Sequence, residues 1–240
     1  MNDYTINHHY VKSGIDIEVD LSFKKNSASI NTQLVKETIN EYLVNYPNED
    51  DFWEILNKNL TTELLTKPIA NSSGSTIKLY EVVDSISIQM DIKAGSSGIE
   101  FPRSSLIKGS VHNDQVELQE SFSFKINGYK LDRQSDISVI DLGINLNFKE
   151  GIGDKKSLVY PNIKPIEIAI NNYLANNPTE ESWEILNKNL ATKLLSEPLV
   201  SSSGNEIKLN ELTDSLSIQI DIKPRNLFKK NQFKTTVYSQ

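Results

Sequence analysis

Between residues 15 and 23 apolar side chains fall on every second position, with Ile15, Ile17, Val19, Leu21 and Phe23 alternating with Asp16, Glu18, Asp20 and Ser22. A period of two puts one apolar and one polar face on an extended chain, which predicts a half-buried strand. Residues 4–12 read as its hairpin partner, turning at Ser13-Gly14. The pair returns at 120–131 and 137–148, where Leu142, Ile144, Leu146 and Phe148 form the core face.

The period then lengthens. Residues 34–43 and 166–174 carry apolar side chains at helical spacing and end near the Asn/Pro stops at 45–47 and 176–178. A second helix follows in each half, with Trp53, Leu56, Leu60 and Leu64, or Trp183, Leu186, Leu190 and Leu194, along one stripe. Asn48 and Thr179 are placed to cap these helices, and Pro68 and Pro198 stop them. Alternation resumes at 84–93 and 214–223, and final strands are predicted near 104–111 and 232–238.

This order is written twice. Residues 53–93 laid on 183–223, a constant shift of 130, agree at 27 of 41 positions without a gap, and the run WEILNKNL is identical in both. The expected organisation is therefore α+β, with two tandem ββααββ units at 1–113 and 114–240. Each unit has helices on one face of an antiparallel sheet.

Composition narrows the chemistry. Of 240 residues 38% are hydrophobic and 24% charged, as in an ordinary globular protein, and the net charge of −7 argues against phosphate-backbone binding. Lys229, Lys230 and Lys234 form the only basic cluster of note. The absence of cysteine excludes disulfides, thiolate metal sites and thiol nucleophiles. With only His8, His9 and His112, and adjacent strand positions pointing to opposite faces, a histidine metal site is not expected. No window reaches the roughly 18 apolar residues of a membrane span, and the first residues lack an apolar leader, so the expectation is a cytoplasmic protein with neither membrane nor nucleic-acid partner.

The polar face of the third strand is the same in both copies: Ser85, Ser87, Gln89, Asp91 and Lys93 match Ser215, Ser217, Gln219, Asp221 and Lys223. Either a recent duplication preserved a solvated face, or this face meets something specific. Glu54 and Glu184 open the second helices, and their i,i+4 spacing to Lys58 and Lys188 is that of an ordinary surface ion pair. A lysine ending a strand is commonly a solvated edge residue. The two tryptophans read as core anchors.

The doubled element order resembles the tunnelling fold, whose members include dihydroneopterin aldolase, urate oxidase, pyruvoyl-tetrahydropterin synthase and GTP cyclohydrolase I. The segments Trp53-Glu54-Ile55-Leu56 and Trp183-Glu184-Ile185-Leu186 are similar to the aldolase turn whose glutamate holds the pterin. Asp221-Ile222-Lys223-Pro224, and less closely Asp91-Ile92-Lys93-Ala94, resemble its catalytic-lysine segment, and Leu158-Val159-Tyr160 is similar to its tyrosine segment. The tandem arrangement resembles urate oxidase.

The resemblance implies binding of a pterin- or purine-like heterocycle at interfaces between units, without cofactor or metal, in a homo-oligomer (a dimer or tetramer) that closes a barrel. It implies Glu184 and Glu54 as substrate-binding residues, and Lys223, Tyr160 and Lys93 as catalytic ones in dihydroneopterin aldolase or epimerase (lyase) chemistry. A carboxylate accepts the paired N–H groups of such a ring, and a desolvated lysine beside it exchanges protons near neutral pH. The aldolase's loop glutamate between the first two strands has no counterpart here. That favours the alternative of a non-catalytic scaffold or binding protein; a urate-oxidase-like, cofactor-free oxidase is the third reading.

Overall fold

The computed structural model describes residues 1, 4–8, 11–27, 30–46, 53–70, 75–94, 101–133, 136–150, 163–176, 182–200, 206–223 and 231–239. The chain is an α+β protein of two compact units, Met1–Ser121 and Phe122–Gln240. No helix among the described residues is long and apolar enough to cross a membrane.

Unit 1 opens with strands β1 (Tyr4–His8) and β2 (Val11–Phe23), followed by helices α1 (Thr32–Val44) and α2 (Trp53–Thr66). A short hairpin, β3 (Pro68–Ala70) with β4 (Thr76–Lys78), and a one-turn helix α3 (Leu79–Val82) lead into β5 (Val83–Ile92) and β6 (Arg103–His112). The antiparallel order is β1-β2-β5-β6. Strand β7 (Gln115–Arg133) follows β6, and its residues from Phe122 onward belong to unit 2.

Unit 2 continues with β8 (Asp136–Phe148), α4 (Ile163–Asn176), α5 (Trp183–Ser196), the pair β9 (Leu199–Val200) and β10 (Glu206–Ile207), α6 (Leu209–Leu212), β11 (Thr213–Ile222) and β12 (Asn231–Tyr238). Its order is β7-β8-β11-β12. The short hairpins and one-turn helices were not expected from periodicity, since two or three residues are too few to show a period.

The first turn differs from expectation. Ser13-Gly14 lies inside β2, with Thr5 opposite Gly14 and Ile6 opposite Ser13. Ser13 is buried at 2% exposure and continues the alternation of Ile15 and Ile17 toward the interior. The inward face of the strand outweighs the turn preference of a Ser-Gly pair.

In each unit the helices cover one face of the sheet. Ile86, Ile88, Met90 and Ile92 of β5 pack under Val35 and Ile39 of α1 and Leu56, Leu60 and Leu64 of α2. Unit 2 buries Leu216, Ile218 and Ile220 with Ile166, Ile170, Leu186, Leu190 and Leu194. Each such side chain contributes about 1.5–3 kcal/mol of burial, which sets the register of strand against helix.

The backbone pairing is the same in detail. Asp16 faces Asp91 across β2 and β5, and Asp141 faces Asp221 across β8 and β11. Lys24 donates from Nζ to the Tyr80 carbonyl at 2.7 Å, and Lys149 to that of Asn210 at 2.8 Å. The Lys93 N–H bonds the Gly14 carbonyl, and that of Lys223 bonds Val139.

Candidate functional site

Helix α2 carries a polar row inside its apolar stripe. Glu54, Asn57, Lys58 and Thr61 stand at spacings of three, four and seven, and Glu54, Asn57 and Thr61 are buried at 6%, 0% and 0% exposure. The Asn57 amide Nδ2 donates to the carbonyls of Ile88 and Ser105, both at 3.0 Å, tying the helix to β5 and β6. Thr61 Oγ1 donates to the Asn57 carbonyl at 2.9 Å. Lys58 Nζ lies 3.0 Å from Glu120 of β7, whose side chain is only 6% exposed.

Glu54 is thus not a member of an exposed helix pair. Burial pushes its carboxyl up to about 7, against its own backbone N–H and the Arg103 guanidinium, which favour the charged form, while Glu120 opposes it. Arg103, the first residue of β6, is in turn held below its ordinary value by burial, which the charge of Glu54 opposes. Its Nε is buried with no hydrogen-bond partner. A carboxyl poised near neutrality within electrostatic reach of a guanidinium whose Nε is unpartnered is the most perturbed polar grouping among the described residues, and such groupings cluster at functional sites.

The matching position of unit 2 is different. Glu184 and Lys188 are exposed, although Ser182 caps α5 by accepting the Ile185 N–H at 3.3 Å and Asn187 repeats the strand tie to Ile218 and Phe233, both at 3.1 Å. In unit 1 the strand after β6 brings Glu120 over the helix start. Among the described residues of unit 2, no strand lies beyond β12 to do the same.

The two lysines end their strands in matching ion pairs. Lys93 Nζ lies 3.1 Å from Asp16 Oδ1, and Lys223 Nζ lies 2.9 Å from Asp141 Oδ1, with the lysine side chains 42% and 49% exposed. Each ammonium group is thus held by a carboxylate at a partly exposed strand end. Burial alone would raise the Asp141 carboxyl, but hydrogen bonds from Lys223 and the Gly128 N–H, with the charges of Lys223 and Lys125, hold it below the ordinary range. Gln89 donates to both oxygens of Asp91, at 2.9 and 3.1 Å, and Gln219 to both oxygens of Asp221 at 3.2 Å. Tyr160 lies outside the described residues.

The structure therefore puts Glu54 in the field of Arg103 and Glu120, with Lys58 paired to Glu120, and places Lys93 and Lys223 on the opposite, polar face of their sheets. Arg103, Asn57 and the carboxylates Asp16 and Asp141 join the residues expected from the sequence. Asn57 and Asn187 had a signal: each is a polar residue inside the apolar stripe of WEILNKNL, in both copies. Compared with protein-family models and with curated proteins, the chain matches none.

Proposed function

We propose that the protein binds a small heterocycle of pterin or purine type at the polar row of unit 1, without lysine-driven catalysis. The observation that carries this is a buried, near-neutral carboxyl on Glu54 within electrostatic reach of Arg103, whose Nε is buried and unpartnered. A 2-amino-4-oxo ring edge presents adjacent N–H donors next to a carbonyl. Ionised Glu54 accepts from the donors, and Arg103 donates to the carbonyl. Because Glu54 is only 6% exposed, a ring that reaches it displaces the side chains covering it.

In this reading the chain is a tandem tunnelling-fold protein of ββααββ units that self-associates as a dimer or tetramer to close a barrel. The lysine environments favour binding over aldolase or epimerase turnover. A second reading, a scaffold without a ligand, is favoured by the exposure of Glu184, which leaves one of the two anchor positions without an enclosure.

Calorimetry with neopterin, guanine and urate on the native chain and on Glu54→Gln decides between them. The variant is expected to lose about 1.5–3 kcal/mol of binding, the scale of charge-assisted hydrogen bonds. Absence of binding by all three compounds leaves the scaffold reading. Light scattering reports the oligomer, and a monomer at micromolar concentration removes the barrel.

A further inference from the structure

Strand β2 of unit 1 and strand β8 of unit 2 hold equivalent places but not equivalent cover. Val19 faces Ile88 and Leu21 faces Ile86, just as Ile144 faces Ile218 and Leu146 faces Leu216. Yet Ile144, Leu146 and Phe148 are 1%, 0% and 5% exposed, while Val19 and Leu21 are only partly buried and Phe23 is 46% exposed. The difference is the neighbouring strand. Beside β8 runs β7, burying Phe122, Phe124 and Ile126 at 3%, 3% and 6% exposure. Lys125, between them, reaches Asp141 at 3.7 Å and Asp221 at 4.0 Å.

Beside β2, strand β1 pairs only from Val11 to Ile15, and Met1 adds a reciprocal pair of backbone bonds to Ile17, both 2.8 Å. Since Ile17 turns both backbone groups to that side, Val19 and Leu21 turn theirs the same way. Among the described residues no strand meets them there. A cavity of about 530 Å³ opens at this edge, with Val35 and Ile39 of α1 as apolar wall and three carboxylates, Asp16, Glu18 and Asp91, against one cation, Lys36, so its lining is acidic on balance.

We propose that this edge of β2 takes an extended segment of a partner protein as an added strand, with large apolar residues at alternate positions and a lysine between them. Backbone bonds to Val19 and Leu21 supply affinity, as in β-augmentation generally. The apolar side chains cover Val19, Leu21 and Phe23. The carboxylates select the lysine. Residues 122–126 show the matching solution within unit 2, and the inference does not rest on heterocycle binding.

The test uses a fluorescein-labelled peptide copying residues 121–129 as probe and the whole chain as receptor, read by fluorescence anisotropy. Saturable binding is expected, weakened about tenfold when the peptide carries Lys125→Glu, the scale of one charge-assisted contact. Val19→Pro in the receptor, which removes an edge N–H, is expected to abolish binding. Glu18→Lys, an exposed change with an unaltered circular dichroism spectrum, is expected to weaken it several-fold and decides the matter if Val19→Pro does not fold. No saturable binding to the native chain overturns the proposal, as does equal binding by Glu18→Lys. So does a native dimer that the peptide dissociates, since the edge then belongs to a second copy.

Discussion

Lys223 Nζ lies 2.9 Å from Asp141 Oδ1, just as Lys93 Nζ lies 3.1 Å from Asp16 Oδ1, so two strand-end lysines resembling a catalytic motif are both held by carboxylates of the adjoining strand. With the lysine side chains 42% and 49% exposed, each pair is worth at most about 1 kcal/mol. Lys93→Met and Lys223→Met are therefore expected to lower stability by less than about 1 kcal/mol each in urea titrations. Both are expected to leave heterocycle binding by calorimetry unchanged. Loss of binding, or of a measurable dihydroneopterin turnover, in Lys223→Met would restore the lysine to the site.

The strands and long helices were legible because each shows several periods of its pattern, as in residues 15–23 or the Trp53–Leu64 stripe. The environments were not. Glu54 and Glu184 stand in identical octapeptides, yet one is buried and the other exposed, because the difference comes from Glu120 and β7, distant in sequence. Asp16 and Asp141 fall on the polar faces of their strands, and periodicity says which face a residue takes and not which lysine meets it.

Asn57 and Asn187 are each fully buried and donate to carbonyls of two strands, at 3.0 Å in unit 1 and 3.1 Å in unit 2. Replacing either by Ala leaves these carbonyls without the amide, at a cost of about 1–3 kcal/mol. Replacement by Asp is expected to cost more, because it removes the donor and buries a carboxylate against carbonyl oxygens. Urea titrations of the four variants check the order, and an Asp variant as stable as its Ala counterpart contradicts the assigned role.

Gly109 of β6 sits close under Thr61 and Leu65 of α2. A Cβ added there would lie 2.9 Å from both Leu65 Cδ1 and Thr61 Cγ2, and 3.0 Å from Leu118 Cδ2. Gly109→Ala is expected to cost about 1–3 kcal/mol through overpacking. Adding Thr61→Ser, which removes one crowded methyl, should recover part of that loss. A double variant whose cost is the plain sum of the two single ones would show that the contact does not limit the approach.

Glu54 gives the clearest pH signature. Its folded value of about 7 lies above its ordinary value of 4.5, so between these pH values the folded state holds a proton that the unfolded state has released. Stability from this group is therefore greatest below about pH 4.5 and falls as pH rises toward 7; above that the buried, ionised carboxylate costs about 3 kcal/mol. Glu54→Gln removes the titration. The variant is expected to be more stable than the native chain at pH 8, with the gap narrowing steadily toward pH 5, in urea titrations across that range. Neopterin, if it pairs with ionised Glu54, should bind the native chain more tightly at pH 8 than at pH 6 and should close part of the stability gap at saturation. Stability curves that run parallel in pH would show that Glu54 titrates as an ordinary exposed carboxyl, and would remove the anchor assigned to the heterocycle.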